Sequence, residues 1–133
     1  MNLSLPLHAY LLVAFGSGLG GAARLWVSTL VGRGAGTAFP WGTLAVNVSG
    51  SFLLSFVMQI ALATDAISPE LRLALTTGFL GGFTTYSTFN YETMALLREG
   101  AWQIAAVNLA ATLLLCLAAG FAGLAAGRAL AGA

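Results

Sequence analysis

Charge is what this chain has least of. Asp, Glu, Lys and Arg make up 7% of the 133 residues, against about 25% in an average soluble domain. The basic residues are five arginines, with no lysine among them. So sparse a complement excludes a conventional water-facing surface over most of the protein. Cysteine is nearly absent too: Cys116 is the only one, set in an apolar stretch. That rules out an intrachain disulfide and leaves no cysteine metal signature. Nor do a nucleophile, a base and an orienting group appear together, so no enzyme is expected. The first arginine, Arg24, lies beyond a long apolar run. The basic start of a cleavable leader is missing, and the N-terminus is expected to be retained.

What is present is apolar. Hydrophobic residues account for 59% and the mean hydropathy is +0.91, values that make this an integral membrane protein. A spanning helix takes about 20 to 25 residues, so the chain holds four spans as a single membrane domain over 1–133 and has no room for a soluble catalytic domain. The spans are expected at about 8–31, 41–63, 71–97 and 101–130. Tyr10, Trp41 and Trp102 stand near their starts, where amphipathic rings favour the headgroup region. GRGAGTAFP, TDAISPE and REG supply turns between them.

Four spans put Arg72 and Arg128 on one side of the membrane and Arg33 and Arg98 on the other. Orientation follows the excess of Lys and Arg in short loops, and here there is none. A chain without bias inserts both ways, which predicts dual topology and an antiparallel homodimer; two copies then supply the inverted repeat that larger transporters encode in one chain. Three glycine pairs at four-residue spacing, Gly16 and Gly20, Gly78 and Gly82, and Gly123 and Gly127, predict close helix packing.

Polar residues recur inside the apolar runs. Thr43, Asn47 and Ser51 share one helical face of the second span, and Asn108, Thr112 and Cys116 repeat the spacing in the fourth. Two ionisable residues, Arg24 and Glu92, lie within spans, each needing water or a partner. The densest interruption is GFLGGFTTYSTFNYE, Gly78 to Glu92. It predicts a third helix broken from Gly81-Gly82 through Thr84-Thr85. A break leaves carbonyls without partners on its first half and N–H groups on its second, adjacent sites of opposite polarity. The aromatic edges of Phe83, Tyr86, Phe89 and Tyr91 carry partial positive charge and can face an anion.

These residues carry a resemblance. GGAAR at Gly20 to Arg24, GTLAVNVSGSFLL at Gly42 to Leu54, GFLGGFTTYSTFNYE, and a fourth span entered through Asn108 and Thr112 resemble the Fluc (CrcB) family of small fluoride channels over nearly the whole chain. The resemblance implies an all-α membrane protein of four helices per subunit, assembled as an antiparallel, dual-topology homodimer in the bacterial cell membrane. It would export fluoride passively, limiting its toxicity. The implied pathway residues are Asn47, Tyr86, Ser87, Thr88, Phe89 and Thr112, and the carbonyls of Gly81 and Thr84 would hold a structural sodium ion at the dimer centre. Fluoride and membrane lipid are the implied partners, with no nucleic acid. Tyr86 departs from the phenylalanine more common in the family, keeping the ring edge and adding a hydroxyl. The rival reading is a proton-coupled small multidrug transporter, also a four-span dual-topology dimer. It requires a deep carboxylate, and Glu92 is the only membrane carboxylate available.

Overall fold

A computed structural model describes residues 5–36 and 38–132. Helix α1 runs Leu7–Ala35, α2 Trp41–Ala63, α3 69–83, α4 Tyr86–Arg98 and α5 Trp102–Ala131. Among the described residues there is no strand. Helices α1, α2 and α5 are each long and apolar enough to cross a membrane, whereas α4, at 13 residues, reaches only about 20 Å at 1.5 Å per residue. Helices α3 and α4 together make up the interrupted third helix.

The first helix continues past the expected turn. Gly32, Arg33 and Gly34 stay helical, and the helix stops only at Gly36, whose φ of 83° favours glycine. Pro6 and Pro40 sit just before α1 and α2, where a missing N–H costs nothing. Helix α3 starts on Ser68, whose hydroxyl accepts from the Leu71 N–H at 3.2 Å, with Pro69 as its first residue. Its middle, Ala74–Leu80, widens into a π-helical turn before Gly81–Phe83 returns to α geometry.

The break falls later than the glycines. Gly81 keeps helical angles, φ −63° and ψ −39°, and the chain extends only at Thr84 and Thr85. Gly82 serves packing instead: a Cβ there would collide with the backbone of Ser17 on α1. Gly20 returns the contact, since a Cβ on it would strike the Phe79 carbonyl. Ser17 Oγ adds a hydrogen bond to the Gly78 carbonyl at 3.2 Å. On the other side of the bundle Gly123 lets α5 lie against the Phe52 backbone of α2. Small residues matter here because lipid is as apolar as leucine, so close backbone approach replaces the hydrophobic effect as the packing drive. The large side chains point out: Leu113, Leu114 and Phe121 are more than 60% exposed, a face suited to acyl chains.

The two largest fully buried side chains are Val46 and Asn108. Asn108 Nδ2 donates to Thr93 Oγ1 at 2.9 Å, and Thr93 Oγ1 donates to the Phe89 carbonyl at 2.8 Å. Helix α4 is thereby tied to α5 through a buried polar chain. Thr93→Val leaves the Asn108 amide without its acceptor and costs about 1 to 3 kcal/mol. Adding Asn108→Leu removes the orphaned group, so the double variant recovers part of that loss in detergent thermal melts. A double variant as unstable as the sum of both singles would contradict the coupling.

Candidate functional site

The break is held open by one side chain. Asn47, one turn past Thr43 on α2, faces Thr85 with both ends of its carboxamide: Nδ2 donates to the Thr85 carbonyl at 3.0 Å, and Oδ1 accepts from the Thr85 N–H at 2.8 Å. The amide thus reproduces the pairing a neighbouring backbone would offer, which is how an extended residue survives inside an apolar bundle. Gly50, one turn further along α2, leaves space for Thr84, whose Cγ2 a Cβ at that position would strike.

Diverting the Thr85 N–H has a consequence upstream. A continued helix would bring that N–H to the Gly81 carbonyl and the Thr88 N–H to the Thr84 carbonyl. The first goes to Asn47 and the second to Thr85 Oγ1 at 3.2 Å, capping α4. Gly81 and Thr84, with Gly82 and Phe83 between them, therefore have carbonyls that lose their helical donors at the break. Downstream, the first N–H groups of α4 form the positive end of a helix.

Two cavities meet at Thr85. The larger, about 860 Å³, lies between α2, α4 and α5 and is lined by Asn47, Ser51, Tyr86, Phe89 and Thr112 among apolar neighbours. The Tyr86 and Phe89 rings stand 5.6 Å apart and 56° inclined; Phe89 is buried and Tyr86 is 78% exposed. The smaller cavity, about 310 Å³, carries Arg24, Ser28, Thr43 and Thr88. Thr85 borders both.

Of the residues read from the sequence, Asn47, Tyr86, Phe89 and Thr112 come together in the larger cavity. Thr88 joins Arg24 in the smaller one, and its hydroxyl accepts from Thr85 Oγ1 at 2.9 Å. Ser87 is exposed, with its hydroxyl 3.4 Å from that of Thr85. Glu92 lines neither cavity. Its Oε1 accepts from Thr43 Oγ1 at 2.7 Å, and Oε2 is buried with no hydrogen-bond partner among the described residues. The carboxylate therefore faces a hydroxyl of the stripe and not a substrate-sized space, which is the opposite of what a proton-coupled transporter needs. The sequence places Thr85 in the break but not among the pathway or sodium-site residues. Its signal is the TYST spacing, a threonine three residues before the Thr88 N–H that it caps.

A sequence model of the CrcB-like proteins (Camphor Resistance, CrcB) matches residues 11–124. A fluoride-specific ion channel FluC of Anaeromyxobacter dehalogenans is 54% identical over 112 residues, 84% of this chain and 89% of the relative. A second, of Geobacter sulfurreducens, is 51% identical over 118 residues, 89% and 95% of the two chains. A third, of Sorangium cellulosum, is 51% identical over 114 residues, 83% and 90%.

Proposed function

This chain belongs to the CrcB-like protein family, and from that membership and the geometry of the break we propose that it is a fluoride-selective channel through which the anion leaves the cell passively. Its relatives are named ion channels of bacteria, so it is a multi-pass protein of a bacterial membrane and not an enzyme. The observation that carries the reading is the convergence of Asn47, Tyr86, Phe89 and Thr112 on one cavity beside the broken helix.

Fluoride is small and strongly hydrated, so a selective path must replace its water with donors and stay too narrow for larger anions. Asn47 supplies one donor: a carboxamide has two N–H groups, and only one is used on Thr85. The Thr112 hydroxyl and the edge of the Phe89 ring add weak positive contacts. Arg24, the one cation at either cavity among the described residues, attracts anions to the smaller chamber without gripping them in the larger one. Weak, successive contacts let an ion leave as readily as it enters. The biological gain is simple: hydrogen fluoride crosses membranes as a neutral acid, ionises inside, and leaves as the anion.

The working unit in this proposal is an antiparallel homodimer with dual topology. Balanced arginines support the topology. The outer face of α4 supports the second copy: Tyr86, Ser87, Asn90 and Tyr91 are all exposed in one subunit, and hydrocarbon is a poor neighbour for them. A structural sodium ion fits the break, because the Gly81 and Thr84 carbonyls have lost their helical donors and hard oxygen ligands suit a hard cation. When bound, the ion offsets the repulsion between converging carbonyl dipoles of two subunits.

Ion efflux from liposomes holding only this protein tests the proposal. Rapid fluoride loss with chloride retained is expected; equal passage of chloride would remove selectivity. Phe89→Ile keeps bulk but removes the ring edge, and is expected to slow fluoride efflux at least about tenfold, the equivalent of one lost contact of about 1.4 kcal/mol. Unchanged flux would take Phe89 out of the path.

A further inference from the structure

The polar stripe on α2 does not end at Ser51. Two further four-residue steps bring Ser55 and Gln59, and both line a third cavity of about 500 Å³ between α2 and α5. Ser51, Leu54, Cys116 and Leu117 border this cavity and the larger one alike, so the two form one continuous groove. Thr43, Asn47, Ser51, Ser55 and Gln59 place a hydrogen-bonding group about every 6 Å along roughly 24 Å of helix. That covers most of a hydrocarbon core of about 30 Å. Each step also turns about 40° around the helix, so the stripe winds from the cavity beside Arg24 to the side facing α5.

Among the described residues, Ser55 and Gln59 differ from their neighbours in making no side-chain hydrogen bond. Ser49 and Ser51 donate to the carbonyls of Ala45 and Asn47, each at 2.7 Å, the usual way a helical serine is satisfied in lipid. Among the described residues neither the Ser55 hydroxyl nor the Gln59 amide has a protein partner, although both residues are half-buried. The Gln59 stem rests on Gly127 of α5, whose missing side chain makes the room. A half-buried amide in an apolar groove without a protein partner needs water. No charged residue lines this cavity, so whatever it contacts is held weakly.

We infer that Ser55 and Gln59 form a further station of the anion path, the hydrated mouth where a small halide regains its water on leaving the larger cavity. Gln59 repeats there, with a free carboxamide, the donor that Asn47 offers at the break. The inference rests on the channel reading, and the two fail separately: a wild-type protein that passes no fluoride ends the channel reading, whereas a conducting wild type with an inert mouth ends only this one.

In liposomes Gln59→Leu, which keeps length and removes the donors, lowers fluoride efflux roughly three- to tenfold. Gln59→Glu lowers it further, because a carboxylate at the mouth repels the anion. Wild-type flux in both would overturn the assignment. Ser55→Cys and Gln59→Cys protein, treated in liposomes with a charged, membrane-impermeant methanethiosulfonate, gains one label beyond the parent by mass on the outward-facing copies, about half of the chains in an antiparallel dimer. Leu53→Cys, exposed on α2 and outside the groove, gains none. Silent thiols at 55 and 59, or equal labelling at 53, would refute a hydrated groove even if the leucine variant does not fold.

Discussion

Replacing Asn47 with alanine lowers fluoride efflux by at least about thirtyfold. The substitution strands the Thr85 N–H and carbonyl together, at about 1 to 3 kcal/mol for each buried group left unpaired, and it removes the donor facing the larger cavity. Asn47→Asp separates the two roles. A carboxylate still accepts from the Thr85 N–H, so the break keeps half of its clamp, but the N–H donors are gone and a negative charge lines the path. Hydrogen exchange over residues 84–88 should therefore rise strongly in Asn47→Ala and weakly in Asn47→Asp, while fluoride efflux falls in both. Normal flux in the aspartate variant would mean that Asn47 only braces the helix.

Gly82→Leu abolishes the folded protein, whereas Gly18→Leu leaves it intact. The two glycines sit on opposite partners of one helix pair, yet a Cβ at Gly18 meets nothing within 4 Å, while at Gly82 it meets the Ser17 backbone. A flexible side chain could swing away; a helix backbone cannot without moving α1. Overpacking of this kind typically costs about 1 to 3 kcal/mol and more when backbone must shift, a large share of the roughly 5 to 15 kcal/mol that holds a domain. Monodisperse yield in detergent and the thermal midpoint report it. A Gly82→Leu protein with a wild-type midpoint would show that α1 and α3 are not held by close approach.

Much of the site could be read from periodicity alone. The Thr43, Asn47 and Ser51 face and the interruption of the third helix follow from polar residues that lipid would not tolerate singly, whereas the pairing of Asn47 with Phe89 came from the family resemblance. Where the break begins did not follow, because Gly81-Gly82 and Thr84-Thr85 are both plausible breakers. What decides between them is Asn47, 38 residues away in sequence from Thr85. Separation in sequence also hid the partners of Glu92, 49 residues from Thr43, and of Asn108, 15 from Thr93: spacing places a residue on a face, and tertiary packing chooses what that face meets. The widened turn at Ala74–Leu80 carries no local signal, since its residues are ordinary for an α-helix in lipid. The continuation of the stripe to Ser55 and Gln59 was in plain sight, but its value became clear only with the cavity that both line.

Helix α4 shows what such ties do mechanically. Glu92 is bonded by Thr43 on α2, and Thr93, the next residue, by Asn108 on α5. Consecutive residues point about 100° apart around a helix, so the two bonds pull like guy ropes in different directions from one height. Together they stop α4 from rolling about its own axis, a motion that smooth apolar surfaces in lipid would scarcely resist. The Tyr86 and Phe89 rings are carried on that axle, less than two turns away. Their angle toward the cavity is thus set from a distance, and cutting either rope would leave the helix where it stands while freeing the rings to turn.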